Sequence, residues 1–279
     1  MPTSITIPKF EKTIRAHYKK NARAMPWRKT RDPYRILVSE IMLQQTQVSR
    51  VTGFYKNFIS EFPNFRALAA AKTADVLRAW QGLGYNRRAL ALQKLAKEVV
   101  GKHGGRLPRD VESLVALPGI GPYTAGAVRA FAFNEPEVFI ETNIRRVFIH
   151  FFFPGKARKV TDAALKRYIE RALDKNSPRE WYYALMDYGA MLGGAAQRQG
   201  SLKNPNRRSA HYTKQAAFEG SDRQLRGKIL RELLSQKEML SSALAKELRE
   251  SRERVSNILS GLVREGFITK KGSYITLAN

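Results

Sequence analysis

Three observations predict an all-α protein that ends in a small winged-helix-like α+β domain. Apolar residues recur at three- and four-residue steps through most of residues 7–192, and convincing strand-like alternation is missing there. Beyond residue 222 the pattern changes to three short helices followed by an alternating hairpin. Glycine, proline and basic residues crowd the stretch between the two patterns, which marks it as a seam.

Helices are expected over residues 7–21, 34–62, 73–79, 87–103, 111–117, 122–133, 142–152, 161–172 and 178–192. They form a domain of two helical lobes over 1–200, followed by a basic linker over 201–222 that should lie as a loop on phosphate. The last domain, 223–279, reads as helices over 223–234, 241–248 and 251–265 with a hairpin turning at Lys271-Gly272-Ser273. In that arrangement the third helix could enter a nucleic-acid groove and the hairpin brace the backbone. A capping or dimerisation module fits the same pattern.

Charge narrows the class of partner. Lys and Arg number 50 against 24 Asp and Glu, a net charge of +26. Such an excess attracts a polyanion and holds it by salt-sensitive counterion release. An anionic membrane is the rival, but no apolar run approaches the roughly 20 residues of a spanning helix, and the first nine residues lack a signal-peptide core. The chain contains no Cys, which removes disulfides, a thiol nucleophile and any cysteine-ligated cluster, and makes a cytoplasmic, nucleoid-associated location the expectation. His17, His103, His150 and His211 show no metal-ligand spacing.

Several segments carry chemistry. In Leu117-Pro118-Gly119-Ile120-Gly121-Pro122-Tyr123, two glycines permit backbone angles closed to other residues, and they leave the first amides of the next helix facing outward. Such a turn can grip a phosphate, although an ordinary helix-helix turn has the same residues. Upstream, Glu40 is a lone carboxylate among Ile41, Met42 and Leu43 at the core end of a helix. Desolvation there would let it carry a proton near neutral pH and deliver it to a leaving group, whereas a solvated Glu40 would simply pair with Arg35 or Arg50. The adjoining Leu43, Gln44, Gln45 and Thr46 have tips suited to filling a gap in a base stack. Trp80-Gln81-Gly82-Leu83-Gly84-Tyr85-Asn86-Arg87-Arg88 combines a glycine turn with an aromatic and two guanidinium groups, offering stacking on Tyr85 and phosphate contacts from Arg87 and Arg88, with Trp80 itself in the core.

Together with Pro26-Trp27 and Met186-Asp187-Tyr188-Gly189-Ala190-Met191, these segments resemble, in the same order, the MutY-type adenine DNA glycosylases of the helix-hairpin-helix (endonuclease III) superfamily, over about residues 7–195. The resemblance implies the helix-hairpin-helix DNA glycosylase fold and base excision repair, with a base flipped out of damaged or mismatched double-stranded DNA and hydrolysed from its sugar. By matched position, Glu40 would protonate the departing purine and activate water. Glu141 would face the sugar as oxocarbenium character develops, and Tyr123 and Asn143 would assist. Gln45 would wedge beside the orphaned base. The backbone of Gly119, Ile120 and Gly121 would clamp a phosphate, and the carbonyls of Leu117 and Gly119 would hold a monovalent cation, Na+ or K+.

This chain also departs from the family pattern. Glu141 stands where the family has Asp, which moves the carboxylate by about one bond and adds a rotamer. Tyr123 stands where bifunctional relatives place a lysine, so a glycosylase without lyase activity is expected. The usual iron-sulfur cluster has no cysteines here, and Arg207, Arg208 and His211 are expected to reach phosphate without metal support. Asn86 replaces a second tyrosine. The domain that reads 8-oxoguanine is replaced by residues 223–279. The expected enzyme is a monomer that removes adenine opposite 8-oxoguanine or guanine. Removal of another base, such as thymine or uracil in G mismatches or a deaminated purine, remains open, as does a non-catalytic damage-sensing DNA-binding protein.

Overall fold

The computed structural model describes residues 5–155, 159–198, 204–213, 217–236 and 238–278. In chain order its α-helices are α1 Ile7–Asn21, α2 Pro33–Leu43, α3 Val48–Glu61, α4 Phe65–Ala70, α5 Thr73–Trp80, α6 Arg87–His103, α7 Val111–Ala116, α8 Pro122–Val128, α9 Thr142–Phe152, α10 Asp162–Ala172 and α11 Pro178–Arg198. The C-terminal elements are α12 Asp222–Ser235, β1 Met239–Leu240, α13 Ser241–Glu247, α14 Arg252–Arg264, β2 Ile268–Lys271 and β3 Tyr274–Leu277. Short 3-10 turns span Pro26–Lys29 and Pro205–Arg208. Among the described residues, no helix is long and apolar enough to cross a membrane.

The chain separates into two compact units. One comprises Met1–Leu37, Arg109–Val115 and Ile120–Lys214; the other comprises Val38–Pro108, Ala116–Gly119 and Gln215–Asn279. The C-terminal segment therefore clusters with the α3–α6 lobe.

In the first unit α1, α9 and α11 pack around Phe10, whose ring centroid lies 5.1 Å from Phe148, 5.0 Å from Phe152 and 5.9 Å from Trp181. All four side chains are buried, and each contributes on the order of 2 kcal/mol through burial. Asp187, on the same α11, is 1% exposed and accepts hydrogen bonds from Arg23 and from both Nη atoms of Arg28. Burial alone would push its carboxyl up; the bonds from Arg28 and Arg23 outweigh that and hold it below the usual range. The Asp-x-Gly segment therefore fastens the turn after α1 onto α11.

The second unit packs α4 and α5 against α6 and α3 against α5, with Trp80 fully buried beside Phe58 and donating from Nε1 to the Gly84 carbonyl at 3.1 Å. Its C-terminal part is a helix-strand-helix-helix-hairpin arrangement closed by an antiparallel sheet of order β1-β3-β2. Lys271 faces Tyr274, so the hairpin turns at Gly272-Ser273, and Gly272 supplies the positive φ that the turn needs. The two-residue strand β1 is too short to leave a periodic trace in sequence.

Two sequence expectations are corrected, and one helix is found that the sequence reading did not expect. The single helix expected over 34–62 is two, because Gln45 adopts φ +55° and Gln47 is extended. The helix expected over 122–133 loosens into a π-helical turn at Arg129–Phe133 and stops at Asn134, φ +57°. Helix also forms at Phe65–Ala70, started by an Asn64 cap.

Candidate active site and nucleic-acid interface

Asp32 caps α2 through the amides of Tyr34 and Arg35, and Pro33 opens the helix. From Ile36 to Met42 every residue of α2 is buried, so Glu40, 4% exposed, places a carboxyl within an apolar helix. A helical turn buried all round admits a carboxylate only at an energetic cost unless it is hydrogen-bonded.

The segment following α2 is held by one side chain. Arg88 donates to the carbonyls of Ile41 and Met42 at 2.9 Å each, of Gln44, and of Gly84 at 3.0 Å, and to the Thr46 hydroxyl at 3.1 Å. The first of these carbonyls belong to the last turn of α2, where no intrahelical donor remains. Desolvation lowers the Arg88 guanidinium to about 10, which leaves it charged at neutral pH. The two loops it joins each contain a left-handed, non-glycine residue: exposed Gln45, and Tyr85 at φ +52°. The sequence expects Arg88 to grip phosphate; the folded chain turns it onto backbone instead. Arg87 is engaged as well, forming a two-pronged pair with Glu265 at 2.6 Å on both arms. Tyr85 receives a hydrogen bond from Arg223 at 3.2 Å.

Gly119 sits in the left-handed region at φ +81°, and a β-carbon on it would lie 2.9 Å from Ala91 on α6. Only glycine allows that approach. Leu117 is buried in the same unit, whereas Ile120 and Gly121 belong to the other unit, where Ile120 is buried and Gly121 caps α8 in extended backbone.

In the first unit Glu141 is the N-cap of α9, an unusual residue for that position. Its extra methylene lets the carboxylate curl back: Oε1 accepts from the amides of Asn143 at 2.7 Å and Ile144 at 2.8 Å, and Oε2 accepts from Asn143 Nδ2 at 3.3 Å. Desolvation pushes the carboxyl up, while these amides and the nearby Arg146 and Arg145 pull it down; the balance leaves it raised. The other end of the Asn143 amide accepts from Arg146 Nη1 at 2.7 Å, and that guanidinium also binds the Gly189 carbonyl. A side chain at position 189 would collide with the Asn143 carbonyl, since its β-carbon would lie 2.5 Å away. Arg146, Asn143 and Glu141 thus form a chain of hydrogen bonds seated on Gly189. Sequence reading misses Arg146, whose one signal is its position three residues after Asn143 on a helix. Tyr123, partly exposed in the same unit, meets Phe139 edge-on at 5.8 Å. Glu141 and Asn143 are brought together; Glu40 lies in the other unit.

Residues 204–212 are braced on α9 without metal ligands. Asn206 donates to the Thr142 carbonyl at 2.9 Å, Arg146 donates to Asn204 at 3.2 Å, and Val160 pairs with Ser209 in a short bridge. Arg208 donates to the Phe153 carbonyl, so it faces inward, while Arg207 and His211 are exposed. A cysteine-ligated cluster does not fit these residues, because the chain has no Cys and this stretch is held by amide and guanidinium bonds. Lys203 and Lys214, which the sequence reading also places on this loop, lie outside the described residues.

Residues 38–171 match the model of the HhH-GPD superfamily base excision DNA repair proteins. The adenine DNA glycosylase of Mycobacterium tuberculosis is 35% identical over 249 residues, 81% of this chain and 80% of that protein. The chain belongs to the adenine DNA glycosylase family. The Mycolicibacterium smegmatis member is 37% identical over 75% of this chain and 74% of its own, and the human one is 33% identical over 66% of this chain and 36% of its own. Among solved structures, a thermostable thymine-DNA glycosylase aligns with TM-score 0.60 at 27% identity, over 74% of this chain and 96% of that one. An endonuclease III–DNA covalent intermediate shares the fold, with TM-score 0.55 at 19% identity, over 65% of this chain and 85% of that one.

Proposed function

We propose that this protein is a DNA glycosylase that binds double-stranded DNA and removes adenine mispaired with 8-oxoguanine or guanine, hydrolysing the N-glycosidic bond without cutting the strand. The observation that carries the reading is Glu40, a carboxyl buried within the apolar end of α2 in a chain 35% identical to adenine DNA glycosylases. A proton on such a carboxyl can be passed to the purine as it leaves, and the resulting carboxylate can then activate water. Glu141, held by the α9 amides, would present its carboxyl to the sugar as positive charge develops there, with Asn143 and Arg146 fixing its rotamer. Tyr123 cannot form a Schiff base, which supports a glycosylase without lyase chemistry. Gln45, with Leu43, Gln44 and Thr46, would fill the space left by the flipped base. Tyr85 would stack, and the backbone of Gly119, Ile120 and Gly121, with Arg207, would hold phosphate. A Na+ or K+ ion at the carbonyls of Leu117 and Gly119 belongs to the same proposal.

Likeness to a thymine-DNA glycosylase structure at 27% identity favours one second reading, excision of thymine opposite guanine. A panel of duplexes with adenine opposite 8-oxoguanine, adenine opposite guanine, thymine opposite guanine and uracil opposite guanine, scored with and without alkali, decides between them. Strand cleavage is expected with the adenine duplexes and only after alkali, and Glu40→Gln is expected to bind as wild type without excising. Equal excision by Glu40→Gln refutes the acid assignment; nicking without alkali refutes the monofunctional reading.

A further inference from the structure

The α13–α14 pair has the form of a helix-turn-helix, two helices joined by residues 248–251 with Arg249 in the left-handed region at φ +53°. Helix α14 buries Val255, Ile258, Leu259 and Leu262 and exposes Arg252, Glu253, Ser256, Asn257, Ser260 and Arg264. Alongside it runs a groove of 730 Å³ lined by Arg252, Arg264 and Lys270 together with the hydroxyls of Ser241, Ser256 and Ser260. Val255, Leu259 and Val263 line it as well, so the groove is mixed in character, but every charged side chain that lines it is basic, which suits a polyanion.

The charge on this part of the chain also points outward. Residues 223–279 contain twelve Lys and Arg against six Asp and Glu. Two of those acids are turned onto arginines away from the groove: Glu250 pairs with Arg254 at 2.9 Å, and Glu265 takes Arg226 at 2.5 Å and Arg87 at 2.6 Å. Among the described residues, Arg252, Arg264 and Lys270 make no ion pair, so their charge faces solvent. The Glu265 carboxylate ties the first turn of α6 to α12 and the end of α14, and Arg223 adds its hydrogen bond to Tyr85. The helix-turn-helix is thereby fixed to the unit that carries the Gln45 loop.

We propose that this face, centred on Arg252, Ser256, Ser260, Arg264 and Lys270, is a second binding surface for duplex DNA, engaging backbone and groove at a distance from the base being removed. Hydroxyls, an amide and arginines at helical spacing are the groups that contact phosphate and base edges from a helix lying in the major groove. The proposal rests on the reading of the protein as a DNA glycosylase only for the identity of its polyanion.

The test is the full-length triple variant Arg252→Ala/Arg264→Ala/Lys270→Ala, whose substitutions lie on the surface. Affinity is measured over a range of salt on a short duplex covering the lesion alone and on one extended by about two helical turns on each side. If each lost cation had neutralised one phosphate, the variant's salt slope on the long duplex becomes shallower by about 2 to 3 and its affinity falls about tenfold or more. Binding to the short duplex and single-turnover excision at saturation remain those of wild type. Wild-type affinity and salt slope for the variant on the long duplex overturn the proposal. So does loss of self-association by the variant with DNA affinity intact, which would assign the face to a second copy of the chain. Absence of excision by the wild type, with length-dependent DNA binding preserved, would sink the glycosylase reading and leave this surface standing.

Discussion

Replacing Arg88 by alanine tests whether one guanidinium holds the site in the α3–α6 unit in shape. The side chain donates to the carbonyls of Ile41, Met42, Gln44 and Gly84 and to the Thr46 hydroxyl, and its ring neighbours Trp80 and Tyr85 lie 5.5 and 5.2 Å from the guanidinium carbon. Deleting it removes the donor to the Ile41 and Met42 carbonyls at the end of α2, each costing about 1 to 3 kcal/mol when cut off from water. Arg88 is only partly buried, so water can reach some of them, and a total loss of about 3 kcal/mol is the expectation. Urea unfolding reads that loss directly. The functional consequence follows from the same bonds: without them Gln45 and Tyr85 have little reason to keep left-handed backbone, so single-turnover excision should slow at a temperature where the variant remains folded. Arg88→Lys, which supplies a point charge but no fork, should recover part of the stability and less of the rate. An alanine variant within about 0.5 kcal/mol of wild type, excising at the wild-type rate, would refute the reasoning.

Two further predictions concern desolvated carboxyls, Glu141 and Asp187. The raised pKa of Glu141 means that the folded chain keeps this proton to higher pH than the unfolded chain does. The stability it contributes is complete below the ordinary glutamate range and is lost as pH climbs through the raised value. Glu141→Gln, permanently neutral, should therefore gain on wild type as pH rises through that window and match it in acid; a gap that widens in acid contradicts the assignment. Asp187 has the opposite sign, because the arginines hold it ionised: its contribution is present above the unfolded carboxyl range and fades as pH falls. Asp187→Ala should cost about 3 to 5 kcal/mol near neutral pH by leaving two guanidinium groups unpaired, and a loss under about 1 kcal/mol by calorimetry would show that water replaces the carboxylate.

Local rules made much of this protein legible from its residues. Apolar spacing marks most helices of both units, Pro33, Pro122 and Pro178 sit at helix starts, and Lys271-Gly272-Ser273 announces a hairpin. Glu40 stands out as a carboxyl in an apolar run, and Gly119 as a turn glycine, although its tight approach to Ala91 comes only with the fold. Long-range partners were beyond such rules. That Arg88 closes onto backbone 44 to 47 residues away, that Glu265 reaches Arg87 across 178 residues, and that Asn206 anchors the start of α9 are choices made by packing, which brings donors and acceptors together without regard to their spacing in the chain. The substitution at position 141 illustrates the division: composition reveals a longer carboxylate, but only the folded helix start, with two free amides and Asn143 beside it, decides where that carboxylate points.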